Sequence, residues 1–191
     1  LNAGTDFRYP SSFSKKFREV VLTGEAFFDV TRDQSHPFVI ETPEFNVKVT
    51  GTSFNLNTYS KDETNSLTLH TGEVTISNQG QEFKIHPGEK YTLNTQTNKS
   101  DIVRADLQKS HIWAEGVIVI DNLNLEEIRK ILERKFDVQI KIMDEKYKKI
   151  KYNGQFKPHE MLSDVLDLIR EVSPVSFSYE IHEAEREVII K

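Results

Sequence analysis

VVLTGEAFFDV, residues 20–30, contains a compact structural statement: a β-branched run, a glycine followed by glutamate, then a second run rich in apolar and aromatic residues. VTGTSFNL (residues 49–56), LHTGEVTIS (69–77) and HPGEKYTL (86–93) repeat the design, with Gly51, Gly72 and Gly88 where the first has Gly24. Between such words lie FVIET, FNVKVTG, SLTLHTG, EFKIHPG and KYTLN, short segments rich in Val, Ile, Thr, Phe and Tyr and broken by Pro or Gly. That composition and punctuation read as strands and turns. Phe45, Val47 and Val49 alternate with Asn46 and Lys48, the period of a half-buried strand. Ser77, Asn78, Gln79 and Gly80 form a polar hairpin connection, and nothing up to Arg104 keeps a helical period for a full helix. An all-β sandwich or short β-solenoid is the expected first domain, over residues 1–108.

The pattern changes after Asp106. LQKSHIW (107–113) is a polar connector ending in an aromatic anchor, Trp113, and VIVI (117–120) is a continuous apolar strand. In DNLNLEEIRKILERKF (121–136), Asn124 is placed as a helix N-cap with Glu127 to complete a capping box. Leu125, Ile128, Ile131, Leu132 and Phe136 then give the helix one apolar face. DVQIKI (137–142) alternates like a strand, and KYNGQF (151–156) leads to a second helix with Pro158 in its first turn. Its expected buried face is Met161, Leu162, Val165, Leu166, Ile169 and Val172, and Ser173-Pro174 ends it. VSFSYEI and VIIK flank the charged turn HEAERE as a closing hairpin. Residues 109–191 therefore read as a small α+β domain with two βαβ-like halves.

Composition narrows the function. The chain has 191 residues, of which 37% are hydrophobic and 29% charged, with a formal net charge of −5. This is a globular composition, and the negative charge disfavours nucleic acid or an anionic membrane as partner. No run approaches the ~18–20 apolar residues of a membrane span. With no cysteine, disulfides and thiolate metal sites are excluded. The chain starts at Leu1, and a fragment of a longer protein is the expectation, with its N-terminal strand truncated.

Catalytic chemistry finds little support. His70, His86 and His111 could supply imidazoles to a cupin-like metal site, but no H-x-H pair occurs. Glycoside hydrolysis needs paired carboxylates about 5–9.5 Å apart. Glu25, Asp29, Glu73 and Glu89 each sit in a turn word that glycine already explains. There is no nucleophile elbow or phosphate-cradling loop. No catalytic, cofactor-binding or metal-binding residue is assigned, no cofactor is expected, and the chain is read as no enzyme. Lys146, Lys148, Lys149 and Lys151, interleaved with Tyr147 and Tyr152, imitate a nucleic-acid patch but are flanked by Asp144 and Glu145, which favours a solvated loop. The better surface for a partner is an open sheet edge in the second domain, unless Lys148, Lys149 and Lys151 or Glu183, Glu185 and Glu187 guard it.

The words also occur together in one known family. LNAG (1–4), YPSSF (9–13), REVVLTGEAFFDV (18–30), PFVIET (37–42), VKVTGTSFNL (47–56), VTISN (74–78) and IHPGEKYTL (85–93) resemble, in order and spacing, the extracytoplasmic domain of FecR-type anti-sigma regulators. The resemblance covers about the first 105 residues. The remainder, from Trp113 onward, resembles the C-terminal domain of members from Bacteroidetes, similar in fold to the short N-terminal signalling domain of secretins and TonB-dependent transporters. The resemblance implies the periplasmic, signal-receiving part of a regulator anchored in the inner membrane by one span. Its implied partner is the N-terminal signalling domain of a TonB-dependent outer-membrane transporter. An extracytoplasmic-function sigma factor would be held only through a cytoplasmic segment outside this sequence, and the membrane met only through the anchor. The alternative is a β-sandwich module binding a glycan or other small ligand, which needs an open stripe of aromatics. Phe27, Phe28, Tyr59 and Tyr91 are expected to pack inward instead.

Overall fold

The structure, a computed structural model, describes residues 1–191 with the exception of the Lys148 side chain. Its contacts divide the chain into two compact units, Leu1–His111 and Ile112–Lys191.

The first unit is built from eleven strands: β1 (Asp6–Arg8), β2 (Arg18–Thr23), β3 (Glu25–Val30), β4 (Phe38–Glu41), β5 (Asn46–Val49), β6 (Thr52–Asn57), β7 (Thr64–Thr71), β8 (Val74–Asn78), β9 (Gln81–Ile85), β10 (Glu89–Asn94) and β11 (Ser100–Arg104). They form a six-stranded sheet in the order β1-β2-β4-β5-β8-β9 and a five-stranded sheet in the order β11-β10-β7-β6-β3. The four glycine words have one role. Gly24 lies between β2 and β3, Gly51 between β5 and β6, Gly72 between β7 and β8, and Gly88 between β9 and β10, and in every case the flanking strands belong to different sheets. These glycines are corners, where the chain passes from one sheet to the other, and hairpins β4–β5, β6–β7, β8–β9 and β10–β11 fill the intervals.

Glycine is required at two of the corners for space as well as for conformation. Gly24 has φ +126°, and a β-carbon there would lie 2.6 Å from Thr5 Oγ1. Gly72 has φ +88°, and its β-carbon would fall 2.4 Å from the Gly51 carbonyl oxygen. L-residues are disfavoured at such φ by the clash of Cβ with their own backbone.

Both sheets turn their apolar alternation to one shared core. Leu22, Ile40, Val47, Ile76 and Ile85 come from the first, and Phe54, Leu56, Leu67, Leu69 and Tyr91 from the second. Phe45, Val47 and Val49 are buried while Asn46 and Lys48 are exposed. Of the two architectures open to the sequence, this is the sandwich. A solenoid stacks its strands in parallel, whereas β2–β4 is the one parallel pair of this unit's ladders. That pair arises because β3, between them in sequence, sits in the opposite sheet.

The second unit contains β12 (Ile118–Asn124), α1 (Leu125–Phe136), β13 (Gln139–Ile142), β14 (Lys151–Phe156), α2 (Leu162–Val172), β15 (Tyr179–His182) and β16 (Glu187–Ile190). Short 3-10 turns span Ile112–Glu115 and Glu145–Lys149. Asn124 caps α1 as its spacing predicts: the Glu127 N–H donates to Asn124 Oδ1 at 2.9 Å, and the Asn124 N–H donates to Glu127 Oε2 at 2.7 Å. Asp137 ends the helix in the left-handed conformation, φ 53°.

The pairing departs from two βαβ-like halves. In a βαβ unit the flanking strands lie in one sheet, yet β12 pairs with β14 in a two-stranded sheet, while β13 joins a three-stranded sheet of order β13-β16-β15. Each helix therefore links two sheets, and one core takes Ile128 and Leu132 from α1, Val165, Leu166 and Ile169 from α2, and Ile118, Ile140 and Val188 from the strands.

The start of α2 also differs from expectation. Pro158 lies in the turn before the helix, and Met161, the N-cap, is 64% exposed. The Asp164 carboxylate accepts the Met161 N–H at 3.1 Å, which begins the helix there. Val172, at the far end of the apolar stripe, is likewise 65% exposed. The buried face is Val165, Leu166 and Ile169.

Candidate functional site

The structure gives the glycine-word carboxylates of Glu25, Asp29 and Glu89 local partners. Glu25 receives the side-chain amides of Asn2 at 2.7 Å and Asn55 at 2.8 Å, tying the N-terminal segment to β6. Asp29 accepts the Ser53 hydroxyl at 2.7 Å, and Glu89 accepts the His86 N–H at 2.8 Å inside its turn. Glu73 offers its main-chain carbonyl to Thr52 Oγ1 at 3.3 Å. These bonds hold corners and turns together. Among the described residues, no group of three or more His, Asp or Glu is placed to hold a metal ion.

The histidines behave differently from one another. His86 stays in the exposed turn before β10. His70 and His111 are brought together, their ring centroids 5.0 Å apart, although the sequence offers no spacing that foretells it.

The aromatic residues on the strands divide by face. Tyr59 and Tyr91 are buried, and Phe28 packs against the core and stacks on Phe54 with centroids 5.2 Å apart. Phe27 alone of the four turns to the outer face, half-buried against His70 and His111. Trp113 is half-buried in its short 3-10 turn. No open aromatic stripe forms among these residues. An open depression of about 550 Å³ does lie on the outer face of the six-stranded sheet, where Tyr9, Val21 and Val39 meet Glu19 and Glu41.

The lysine-rich segment is a corner of the core rather than a platform for bases. Tyr147 and Tyr152, the rings that would stack on nucleotides, are buried. Lys146 pairs with Asp144 at 2.8 Å and Lys151 with Glu127 at 2.8 Å, while the Lys148 side chain lies outside the described residues. Local carboxylates thus answer the charges of Lys146 and Lys151, and no ring in the segment is open for a base to stack on.

What the second unit offers is backbone. The two-stranded sheet has β12 and β14 each paired on one side only, and the three-stranded sheet ends in β13 and β15. Strand β15 carries Glu180, Ile181 and His182 exposed, with Glu180 bound by Lys191 at 2.7 Å. Glu183 and Glu185, weighed as guards of an edge, sit at the tip of the β15–β16 hairpin instead, and Glu187 of the central strand pairs with Lys141. Unpaired N–H and C=O groups along a strand can accept another strand.

The comparisons with known proteins agree with this geometry. The family model described as FecR protein matches residues 1–75, and the one described as FecR, C-terminal matches residues 117–190. No curated protein matches the chain significantly. Two crystal structures of a candidate anti-sigma factor from Parabacteroides distasonis superimpose on it. One has a TM-score of 0.89 at 28% identity, covering 100% of this chain and 88% of that one. The other has a TM-score of 0.88 at 29% identity, covering 100% of this chain and 87% of that one. With a FecR protein match in its first unit and a FecR C-terminal match across its second, the chain belongs to the FecR family.

Proposed function

We propose that this chain is the periplasmic, signal-receiving part of an anti-sigma regulator, acting by protein–protein contact and not by catalysis. The observation that carries this is the pairing of the two FecR matches, in order, with whole-chain similarity to a candidate anti-sigma factor. The regulator is anchored in the inner membrane, and its cytoplasmic segment holds an extracytoplasmic-function sigma factor. Occupancy of a TonB-dependent outer-membrane transporter reaches it through that transporter's N-terminal signalling domain. The receiving surface is in residues 109–191, because small sheets with free edges offer backbone pairing that a filled sandwich core does not.

Calorimetric titration of the isolated transporter domain into residues 1–191, and into a folded 109–191 fragment, tests this. A dissociation constant of roughly micromolar order is expected for both, with an interface of about 1,600 Å² or less. Binding confined to residues 1–108 would move the receiving surface to the sandwich. No binding by either, together with binding of a glycan, would favour the alternative of a small-ligand module. The feature that supports that alternative is the depression beside Tyr9, which is 69% exposed.

A further inference from the structure

Three rings from distant parts of the chain meet on the outer face of the five-stranded sheet. Phe27 of β3 has its centroid 5.2 Å from His70 of β7 and 5.0 Å from His111, and the two imidazoles are themselves 5.0 Å apart. His111 closes the segment that follows β11, so residues 107–111 are held to the sheet at this point. One hydrogen bond fixes the arrangement, between His70 Nε2 and Ser110 Oγ at 2.6 Å. Ser110 gives its single hydroxyl proton to the Leu107 carbonyl at 3.0 Å. His70 Nε2 must then be the donor, which makes the neutral ring the Nε2–H tautomer. His111 Nδ1 is buried and has no hydrogen-bond partner.

This geometry favours two uncharged rings. A proton placed on His111 Nδ1 would have no acceptor. The His70 imidazole is held below its ordinary 6.5 by burial and then by the charge of His111, with no carboxylate opposing them. The neighbouring carboxylates are otherwise engaged. On β3, Glu25 is bound by Asn2 and Asn55, and Asp29 by Ser53 of β6. Lys90 of β10 lies across from Thr68, and on the segment itself Asp106 and Lys109 face each other at 4.0 Å.

We propose that Phe27, His70, Ser110 and His111 form a pH-sensitive latch that holds residues 107–111, the segment leading into the second unit, against the sandwich while the His70 imidazole is neutral and releases it when that ring takes up a proton. The sign follows from linkage. His70 binds a proton less readily with the segment docked than with it released, so docking is complete above the free imidazole value of 6.5 and weakens as pH falls below it. The latch does not depend on the identity of any partner.

The test is NMR of the full chain from about pH 8 to about pH 5, a span that brackets imidazole titration. It follows both histidine rings and the ring-to-ring contact of Phe27 with His111. The His70 ring should titrate with its midpoint below 6.5, and the contact should disappear in step. The docking constant should fall by up to about tenfold per pH unit for each proton taken up. His70→Gln keeps a donor for Ser110 but cannot titrate, and should carry the Phe27–His111 contact to lower pH. His70→Gln combined with His111→Gln should leave the shifts of residues 107–111 flat across the range. A His70 midpoint at or above 6.5, or a contact that survives when the His70 ring is charged, would overturn the latch. Core methyl resonances such as those of Leu69 report that the sandwich stays folded throughout.

Discussion

The carbonyl oxygen of Gly51 occupies the position that a side chain on Gly72 would need, 2.4 Å from where the β-carbon would stand. Two corners of the sandwich, far apart in sequence, are thereby fitted to one another. Gly72→Ala should cost about 2 kcal/mol or more, combining backbone strain of roughly 1–3 kcal/mol with the displaced carbonyl. Gly80→Ala is the control. It has φ +80° but nothing within 4 Å, so it should lose only about 1–2 kcal/mol of backbone preference. Urea melts of the two variants should separate, and equal losses would show that the corners are not fitted.

The helical faces of the second unit give a sharper contrast. Ile128 and Leu166 are fully buried, and truncating either to Ala should destabilise the unit by about 2–5 kcal/mol. Met161→Ala and Val172→Ala remove residues of similar hydrophobicity that stand in solvent, and each should stay within about 0.5 kcal/mol. Chemical denaturation measures all four. A large loss at Met161 would show that this stretch is covered.

Glu127 connects stability to pH. Burial pulls its carboxyl pKa upward, but hydrogen bonds from Lys151 and the Asn124 N–H outweigh it and hold the value below the ordinary 4.5. A lowered carboxyl contributes stability above its unfolded value and loses it as pH falls through the folded one. Glu127→Gln should therefore flatten the acid limb of thermal stability below pH 4.5. Asn124→Ala should cost about 1 kcal/mol at neutral pH, where the cap is intact.

Tyr179 acts at the other end of the scale. Its phenol is pushed up to about 12, by burial first and then by its 2.7 Å hydrogen bond to Asp167. The stability this contributes is complete below the ordinary value of 10.0 and is lost as pH rises through about 12. An ultraviolet difference titration of wild type against Tyr179→Phe should isolate one phenol with a midpoint near 12. A difference midpoint at 10.0 would mean that the Asp167 bond is absent in solution.

Individual strands were legible because a period of two and a glycine are local signals. Phe45, Val47 and Val49 declare their face within five residues. The cap at Asn124 was legible for the same reason. What neighbouring residues cannot declare is which sheet a strand joins, since that depends on partners such as β2 and β4, separated by a strand of the opposite sheet. So Gly24 and Gly72 read as turns when they are corners, and β12 and β13 read as one unit when they lie in two sheets. Met161 and Val172 continue a helical stripe in sequence, but the stripe outruns the surface that covers it. The meeting of His70 with His111 had no sequence signal because the connector brings them together across 41 positions. The free edges of the second unit were foreseen in kind, though the strands that form them emerge only from the pairing.

The corners have a further consequence for how the sandwich would tolerate being cut. Because the chain changes sheet at Gly24, Gly51, Gly72 and Gly88, no continuous stretch of it completes either sheet. A single nick in the 58–63 loop would leave two peptides, each holding strands of both layers and neither able to close a core. Such peptides should remain clasped without a covalent link and fall apart together, as one cooperative event. A protease acting on this unit would have to cut more than once, or wait for the whole sandwich to open, before it released anything.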